Sequence, residues 1–147
     1  MINSIMKKIF GFLIFFLAAG YFANAQMIVK QKDKWGAAIY YVENQTIKTK
    51  DRWGAPLAYL DGQTIRQKDH WGNPLYYIDG NTVRLKDKWG DPVLFFDGQT
   101  IRQKDKWGTP LYYLDGQVLR VKDRWGAPIY FFDGGVPKRW VLTFLIM

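Results

Sequence analysis

The chain has 147 residues, with 21 Lys and Arg against 13 Asp and Glu, a formal net charge of +8 and no cysteine. Two of the cations and none of the carboxylates lie in the first 25 residues, so 19 cations against 13 carboxylates remain, a formal +6. The lack of cysteine excludes a disulfide framework and a lipid-modified cysteine tether. With no Ser and a single His after residue 25, the Ser-His and Cys-His nucleophile arrangements are excluded as well.

Residues 1–25 read as a cleavable signal peptide. Lys7 and Lys8 precede an apolar run from Ile9 to Ala19, and Ala23-Asn24-Ala25 supplies the small-x-small pattern of a cleavage site. The run is shorter than the roughly 20 apolar residues of a spanning helix, which makes an uncleaved anchor the weaker alternative. The expectation is an exported protein, periplasmic or secreted, that begins at Gln26 and keeps no transmembrane span.

From there the chain repeats. Trp-Gly recurs at Trp35, Trp53, Trp71, Trp89, Trp107 and Trp125, every 18 residues and without insertion. Such a period marks a ring or solenoid whose units bury their apolar faces only against neighbours. In the third unit Lys-Asp-x-Trp-Gly-x-Pro leads into Leu75-Tyr76-Tyr77-Ile78, then Asp79-Gly80, then Asn81-Thr82-Val83-Arg84-Leu85. Two aromatic and β-branched stretches around Asp-Gly predict a hairpin with a type I′ turn, whose two central residues need positive φ. Asp-Gly also stands at 61–62, 97–98, 115–116 and 133–134, and Glu43-Asn44 replaces it in the first unit, where Asn tolerates the left-handed region. Asp-x-Trp-Gly predicts a second reversal, with Asp opening a type I turn and Gly taking the left-handed position after it. Pro56, Pro74, Pro92, Pro110 and Pro128 precede the aromatic stretch, where a missing donor costs little.

With Asp61-Gly62 as the turn, Leu60 opposes Gln63 and Ala58 opposes Ile65. One face then collects Tyr40, Tyr76, Leu94, Tyr112 and Tyr130, with Leu60, Ile78, Phe96, Leu114 and Phe132 and the Ile or Val of each return strand, and is the predicted core. The other face carries Leu57, Tyr59, Thr64, Arg66 and their equivalents. A longer turn would exchange the faces.

Ile28 to Gln31 align with Thr64 to Gln67, a return strand lacking its aromatic partner, while Ile129 to Phe132 form an aromatic strand whose return is interrupted by Gly135 and Pro137. Pairing 27–32 with 129–132 would hide both edges. The predicted fold is therefore all-β. Six 18-residue hairpin repeats over 26–134 give twelve short antiparallel strands in a closed, roughly six-fold ring or shallow barrel, with the Trp-Gly turns on one rim and the Asp-Gly or Glu-Asn turns on the other. Residues 135–147 read as an irregular apolar tail that caps or plugs the ring, adds an edge strand, or frays.

Over 27–134 the columns Trp-Gly-x-Pro-Leu-Tyr-Tyr-Leu-Asp-Gly-Gln-Thr-Ile-Arg, seen at 107–120 with Val118 and Leu119 in place of Thr and Ile, resemble those of the β-flower proteins. These are bacterial families of short hairpins around an axis with several-fold pseudo-symmetry. The resemblance implies a shallow β-barrel without catalytic residues, and by analogy a likeness to lipid-binding barrels. Leu111 to Gly116 is also similar to the hairpin core of cell-wall choline-binding and glucan-binding repeats, although Trp-Gly-x-Pro here stands where those repeats have Gly-Trp and Trp-Tyr-Tyr. Bacterial Trp-Gly β-repeats share the dipeptide.

Apart from Asp91 the carboxylates occupy equivalent turn positions, so no two have the distinct environments that an acid-base pair needs. They read as turn and capping residues, and no oxygen-rich Ca²⁺ loop is visible. No enzymatic activity, cofactor or metal site is expected. His70 occupies the column of Lys34, Arg52, Lys88, Lys106 and Arg124 and reads as another polar turn residue. Those five cations and the six Trp form the candidate ligand-binding rim. Two readings of the Trp column stand open: an exposed rim that rests on a membrane interface, where Trp is enriched, or stacks on sugars; or indoles folded back as structural plugs. The expected function is a non-catalytic binding or structural module of the cell envelope. Anionic lipid is the first ligand, a glycan or choline-type cell-wall ligand the alternative, and a purely structural ring with buried Trp the third reading. No nucleic-acid partner is expected. An outer-membrane barrel is disfavoured, because its strands need about 9–11 residues and half of an 18-residue unit must supply strand and turn together.

Overall fold

The structure is a computed structural model and describes residues 26–147; the leader expected over 1–25 lies outside the described residues. The twelve strands are β1 (Gln26–Gln31), β2 (Ala38–Glu43), β3 (Thr46–Thr49), β4 (Pro56–Asp61), β5 (Thr64–Gln67), β6 (Pro74–Asp79), β7 (Thr82–Leu85), β8 (Pro92–Asp97), β9 (Thr100–Gln103), β10 (Pro110–Asp115), β11 (Val118–Val121) and β12 (Pro128–Asp133). Aromatic and β-branched residues fill them, as a pleated half-buried surface favours. Proline is admitted at the first residue of five of them, where no ladder bond is lost.

Each strand pairs antiparallel with its sequence neighbours, and β1 pairs with β12 to close the barrel. Val29 meets Phe132 and Gln31 meets Tyr130. The two orphan strands do complement each other, and no edge remains to recruit another chain.

The hairpin register differs from the expected one. Asp61 pairs with Thr64, Leu60 with Ile65 and Ala58 with Gln67, so the central turn residues are Gly62 and Gln63. Positive φ falls on the first of them only, +63° at Gly62 and +55° at Asn44 in the first unit, which is the type II′ pattern instead of type I′. Asp61 stays at the strand end, where its carboxylate holds Arg66 Nε at 3.0 Å on the outer wall; the first hairpin takes the same register, Glu43 pairing with Thr46. The slip displaces each opposing pair by two residues, so the faces are those expected.

Val29, Ile47, Ile65, Val83, Leu119 and Phe132 are wholly buried, and Tyr40, Tyr76, Tyr112 and Tyr130 line the same core. At each junction between hairpins one residue bulges out of register, for example Leu57 between the Ala58–Ile47 and Pro56–Lys48 pairs. On the outer wall Tyr59, Tyr77 and Tyr113 donate to the Gln45, Gln63 and Gln99 amide oxygens. Tyr41 has Met27 in the equivalent place, and its buried hydroxyl has no partner among the described residues.

About eight strands is the size at which inward side chains just fill a barrel; twelve leave a wider lumen. It is filled by a helix, α1 (Arg139–Ile146). Residues 135–147 are thus not the irregular tail expected: 139–146 are helical and take the plugging role among those considered. Gly134 and Gly135, with φ of +139° and +130°, turn the chain inward. Between Arg139 at its first position and Ile146 at its last, every residue of the helix but Thr143 is apolar, which suits a helix enclosed by the barrel. Trp140, Val141 and Leu142 are buried in the core, and the enclosed Thr143 satisfies its hydroxyl on the Arg139 carbonyl at 2.8 Å. Arg139 donates to the Gly80 carbonyl at 2.7 Å, with its guanidinium 5.7 Å from the Phe96 ring. That fixes the start of α1 at the Gly62-type rim, while Met147 reaches Val93 and Leu111 near the Trp-Gly rim. No helix among the described residues is long and apolar enough to cross a membrane.

Candidate functional site: the aromatic and cationic rim

The Trp-Gly turns share one construction, seen here in the fifth unit. Asp105 N–H donates to the Gln103 carbonyl at 2.8 Å, closing a three-residue turn about Lys104. Gly108 N–H donates to the Asp105 carbonyl at 2.9 Å, closing a four-residue turn with Lys106 and Trp107 at its tip. The Asp105 carboxylate accepts from Trp107 N–H at 2.9 Å, the local bond that suits Asp to turns. Asp33, Asp51, Asp69, Asp87 and Asp123 do the same, so the expected capping role of these carboxylates is observed.

The glycine of Trp-Gly was expected in the left-handed region and is not there. A Cβ on Gly108 would stand 1.6 Å from the Gln103 carbonyl oxygen; glycine is required because two stretches of backbone touch. The left-handed residue is the lysine ahead of the Asp. Lys32, Lys50, Lys68, Lys86, Lys104 and Lys122 have φ between 57° and 68°.

Because a cation and a Trp occupy the turn tip, both side chains project from the rim. Trp35, Trp53, Trp71, Trp89, Trp107 and Trp125 are 81–84% exposed. The reading in which each indole folds back as a buried plug is therefore corrected: the barrel is filled by α1, and nothing in the neighbouring hairpin covers the indoles. Each instead carries the side chain before it. The Nζ of Lys34, Lys88 and Lys106 lies 4.9, 5.1 and 5.0 Å from its ring centroid, and the guanidinium carbon of Arg52 and Arg124 at 4.6 and 4.8 Å. His70 takes this place in the third unit, 4.4 Å from the Trp71 ring and 5.9 Å from that of Tyr59. All eleven residues of the candidate rim are thus brought to one end of the barrel.

Charge is unevenly spread. The six Trp-Gly turns, residues 32–37 and their equivalents, hold eleven Lys and Arg against seven Asp, a net +4. The opposite rim holds Glu43, Asp61, Asp79, Asp97, Asp115 and Asp133, four of them paired with wall arginines and Asp133 with Lys30 at 3.0–3.5 Å. The arginines act as struts: Arg66, Arg84, Arg102 and Arg120 also donate Nη1 to the carbonyls of Gly72, Gly90, Gly108 and Gly126 at 3.2 Å. At 3.5 Å from Asp115, Arg120 Nε is within ion-pair reach without hydrogen-bond geometry. The wall cations are committed to the fold, whereas the rim cations are directed to solvent.

The six left-handed lysines were not among the sequence candidates. Their signal was available, since Lys is, with Asp, Trp and Gly, identical in all six units. At the other end a cleft of about 190 Å³ lies between α1 and β1–β2, lined by Met27, Val42, Val136 and Trp140, and a broader depression of about 480 Å³ lies beside Leu60, Ile78 and Trp140. The fold and the site together define a closed, helix-plugged barrel of hairpin repeats with a cationic, aromatic rim. Comparison of the chain with protein-family models, curated proteins and solved structures finds no match.

Proposed function

We propose that this is a non-catalytic, exported binding module whose Trp, Lys and Arg rim docks on anionic lipid of the cell envelope. The observation that carries the reading is the ring of six indoles, each more than 80% exposed and each but Trp71 beside a Lys or Arg, all on one rim of a closed barrel. Trp is favoured at the membrane interface, where an apolar ring and a polar N–H find both environments. Each Lys or Arg near an anionic surface adds about 1 kcal/mol of attraction. The net positive charge of this rim and the paired carboxylates of the other give the molecule a preferred orientation on such a surface. With strands of four and six residues, against about 9–11 for a bilayer-crossing strand, the barrel rests on the lipid and does not cross it. Export rests on the leader pattern of residues 1–25.

The indoles stand singly, about two strand spacings or roughly 10 Å apart along the rim. They lack the facing rings of an aromatic cage, so the lipid reading is preferred to the choline-type or glycan alternative. Residues 26–147 close on themselves around the core described above and are the protein used for the test. Co-sedimentation with phosphatidylglycerol–phosphatidylcholine vesicles should retain the protein at low salt and release it as ionic strength rises, with a blue shift of Trp emission on binding. No retention, or no blue shift, refutes the reading. Salt-insensitive retention on envelope glycans, lost on Trp→Ala, would establish the alternative.

A further inference from the structure

The geometry points to Lys32, Lys50, Lys68, Lys86, Lys104 and Lys122 as the residues that take up lipid phosphate when the rim docks, kept at these positions against the preference of the backbone. The inference rests on the lipid reading above and assigns its headgroup contacts to residues outside the original candidate rim.

The first support is conformational. Each lysine has φ of 57–68° and is closed by an Asp N–H bond to the residue before it, at 2.6–2.8 Å. A three-residue turn with positive φ at its centre is rare and strained for any residue with a Cβ, a penalty that glycine escapes. The same barrel shows the relaxed solution at its other rim, where positive φ at the first central turn residue is met by Gly62, Gly80, Gly98, Gly116 and Asn44. At the Trp-Gly rim lysine stands there in six units of six. Strain retained at an exposed residue is a pointer to function.

The second support is that the fold makes no use of these side chains. All six lysines are exposed, and among the described residues none has a side-chain hydrogen bond or ion pair. Only their backbone N–H groups are engaged, each donating to the carbonyl of a bulged residue, such as Lys104 to Val93 at 2.9 Å. Any residue other than proline supplies that N–H.

The third support is placement. Lys104 lies two residues before Lys106 in one turn, so in every unit but the third, where His70 stands, two cations share the turn that carries the exposed indole. The bulged Ile39, Leu57, Leu75, Val93, Leu111 and Ile129 lie half-buried beside them. A compact ammonium with three donors suits a phosphate oxygen, and the indole suits the depth just below it.

The test uses Lys104→Gly and Lys122→Gly, singly and together, in residues 26–147. Relief of the positive-φ strain should raise the melting temperature of each single variant by a few degrees, about 2–5 °C. Affinity for phosphatidylglycerol-containing vesicles should fall about fivefold per lysine and about 25-fold for the pair, the value of one cation near an anionic surface. Lys138→Gln removes the same charge from the opposite end and should change affinity less than twofold. A lower melting temperature in the Gly variants would make these lysines structural and overturn the inference. So would unchanged vesicle affinity while Trp107→Ala weakens it, a result that leaves the lipid reading standing. If the unsubstituted protein does not bind the vesicles, the lipid reading fails first and this inference with it.

Discussion

Trp107 and Trp140 are one residue type in opposite settings, and replacing each by Ala separates rim from core. Trp107 is 83% exposed, so about a sixth of a side-chain surface of roughly 250 Å² is covered, some 40 Å². At about 25 cal/mol per Å² that burial is worth about 1 kcal/mol, and an exposed cation–π contact with Lys106 adds about 0.5–1 kcal/mol. Trp107→Ala should therefore cost at most about 2 kcal/mol. Trp140 is 4% exposed inside the barrel, and its truncation should cost about 3–5 kcal/mol. Urea titration of both variants reads the difference directly. Fluorescence gives an independent reading: with six of seven indoles at the rim, emission should be red-shifted and largely quenched by iodide, which the +4 rim attracts more than it does caesium. A residual unquenched component should disappear in Trp140→Ala. A loss of 3 kcal/mol or more in Trp107→Ala, or emission that iodide leaves mostly intact, would refute the exposed rim.

Gly72→Ala should disable its turn, because the new Cβ would stand 1.5 Å from the Gln67 carbonyl oxygen; a loss of more than about 3 kcal/mol is expected. Gly62→Ala meets no atom within 4 Å and suffers only from its φ of +63°, about 1–2 kcal/mol, so equal losses in urea titration would contradict the two roles. Tyr113→Phe gives up its bond to Gln99 and should cost about 0.5–1.5 kcal/mol, whereas Tyr41→Phe removes a buried hydroxyl that has no partner among the described residues and should be neutral or stabilising. Burial, with Glu43 adding and Arg52 opposing, holds the Tyr41 hydroxyl above its ordinary pKa. Above about pH 10 the unfolded chain then loses this proton first and stability falls as pH rises, a fall that Tyr41→Phe should reduce in alkaline titration. Ending the chain at residue 136 removes α1 and opens an apolar lumen. The truncated chain should lose its cooperative melt or bind a hydrophobic dye, and a melt as sharp as the full chain's would contradict the plug.

The features legible in the sequence are those fixed by period and alternation. The 18-residue recurrence gave the unit, alternation gave the inward face, and the mismatch between Ile28–Gln31 and Ile129–Phe132 gave closure, because each depends only on which residues share a strand. Turn geometry was less legible. Asp61-Gly62 fits a type I′ turn on composition alone, yet Asp61 ends its strand opposite Thr64 with its carboxylate on Arg66, a contact that exists only once the strands are paired. The glycine of Trp-Gly was read as a conformational device because close backbone contact has no local sequence mark. The helix was hidden for a different reason: Arg139 to Ile146 covers about two turns, too few for a 3.6-residue period to be told from a short apolar run. Its environment is supplied by the whole barrel.

Six near-identical turns on a closed frame also constrain what the rim can recognise. The Asx bond and the glycine contact, with an arginine strut in four units and Lys30 or Lys48 in the other two, hold each turn tip to the barrel wall, so the indoles form a ring of fixed spacing. A single exposed indole with its cation offers on the order of 1–2 kcal/mol, too little to hold a partner alone. Rigidly linked sites add without each paying again for association, provided the partner can engage them together. A flat, repetitive surface does so and a compact ligand cannot, which is the physical link between the repeat and the lipid reading. The corollary is graded loss: removing rim tryptophans one at a time should lower vesicle affinity by similar factors whichever unit is changed, with Trp71 the weakest because His70 replaces the permanent cation beside it. A single Trp→Ala that abolished binding, with the other five nearly silent, would mean one asymmetric site and would contradict the ring.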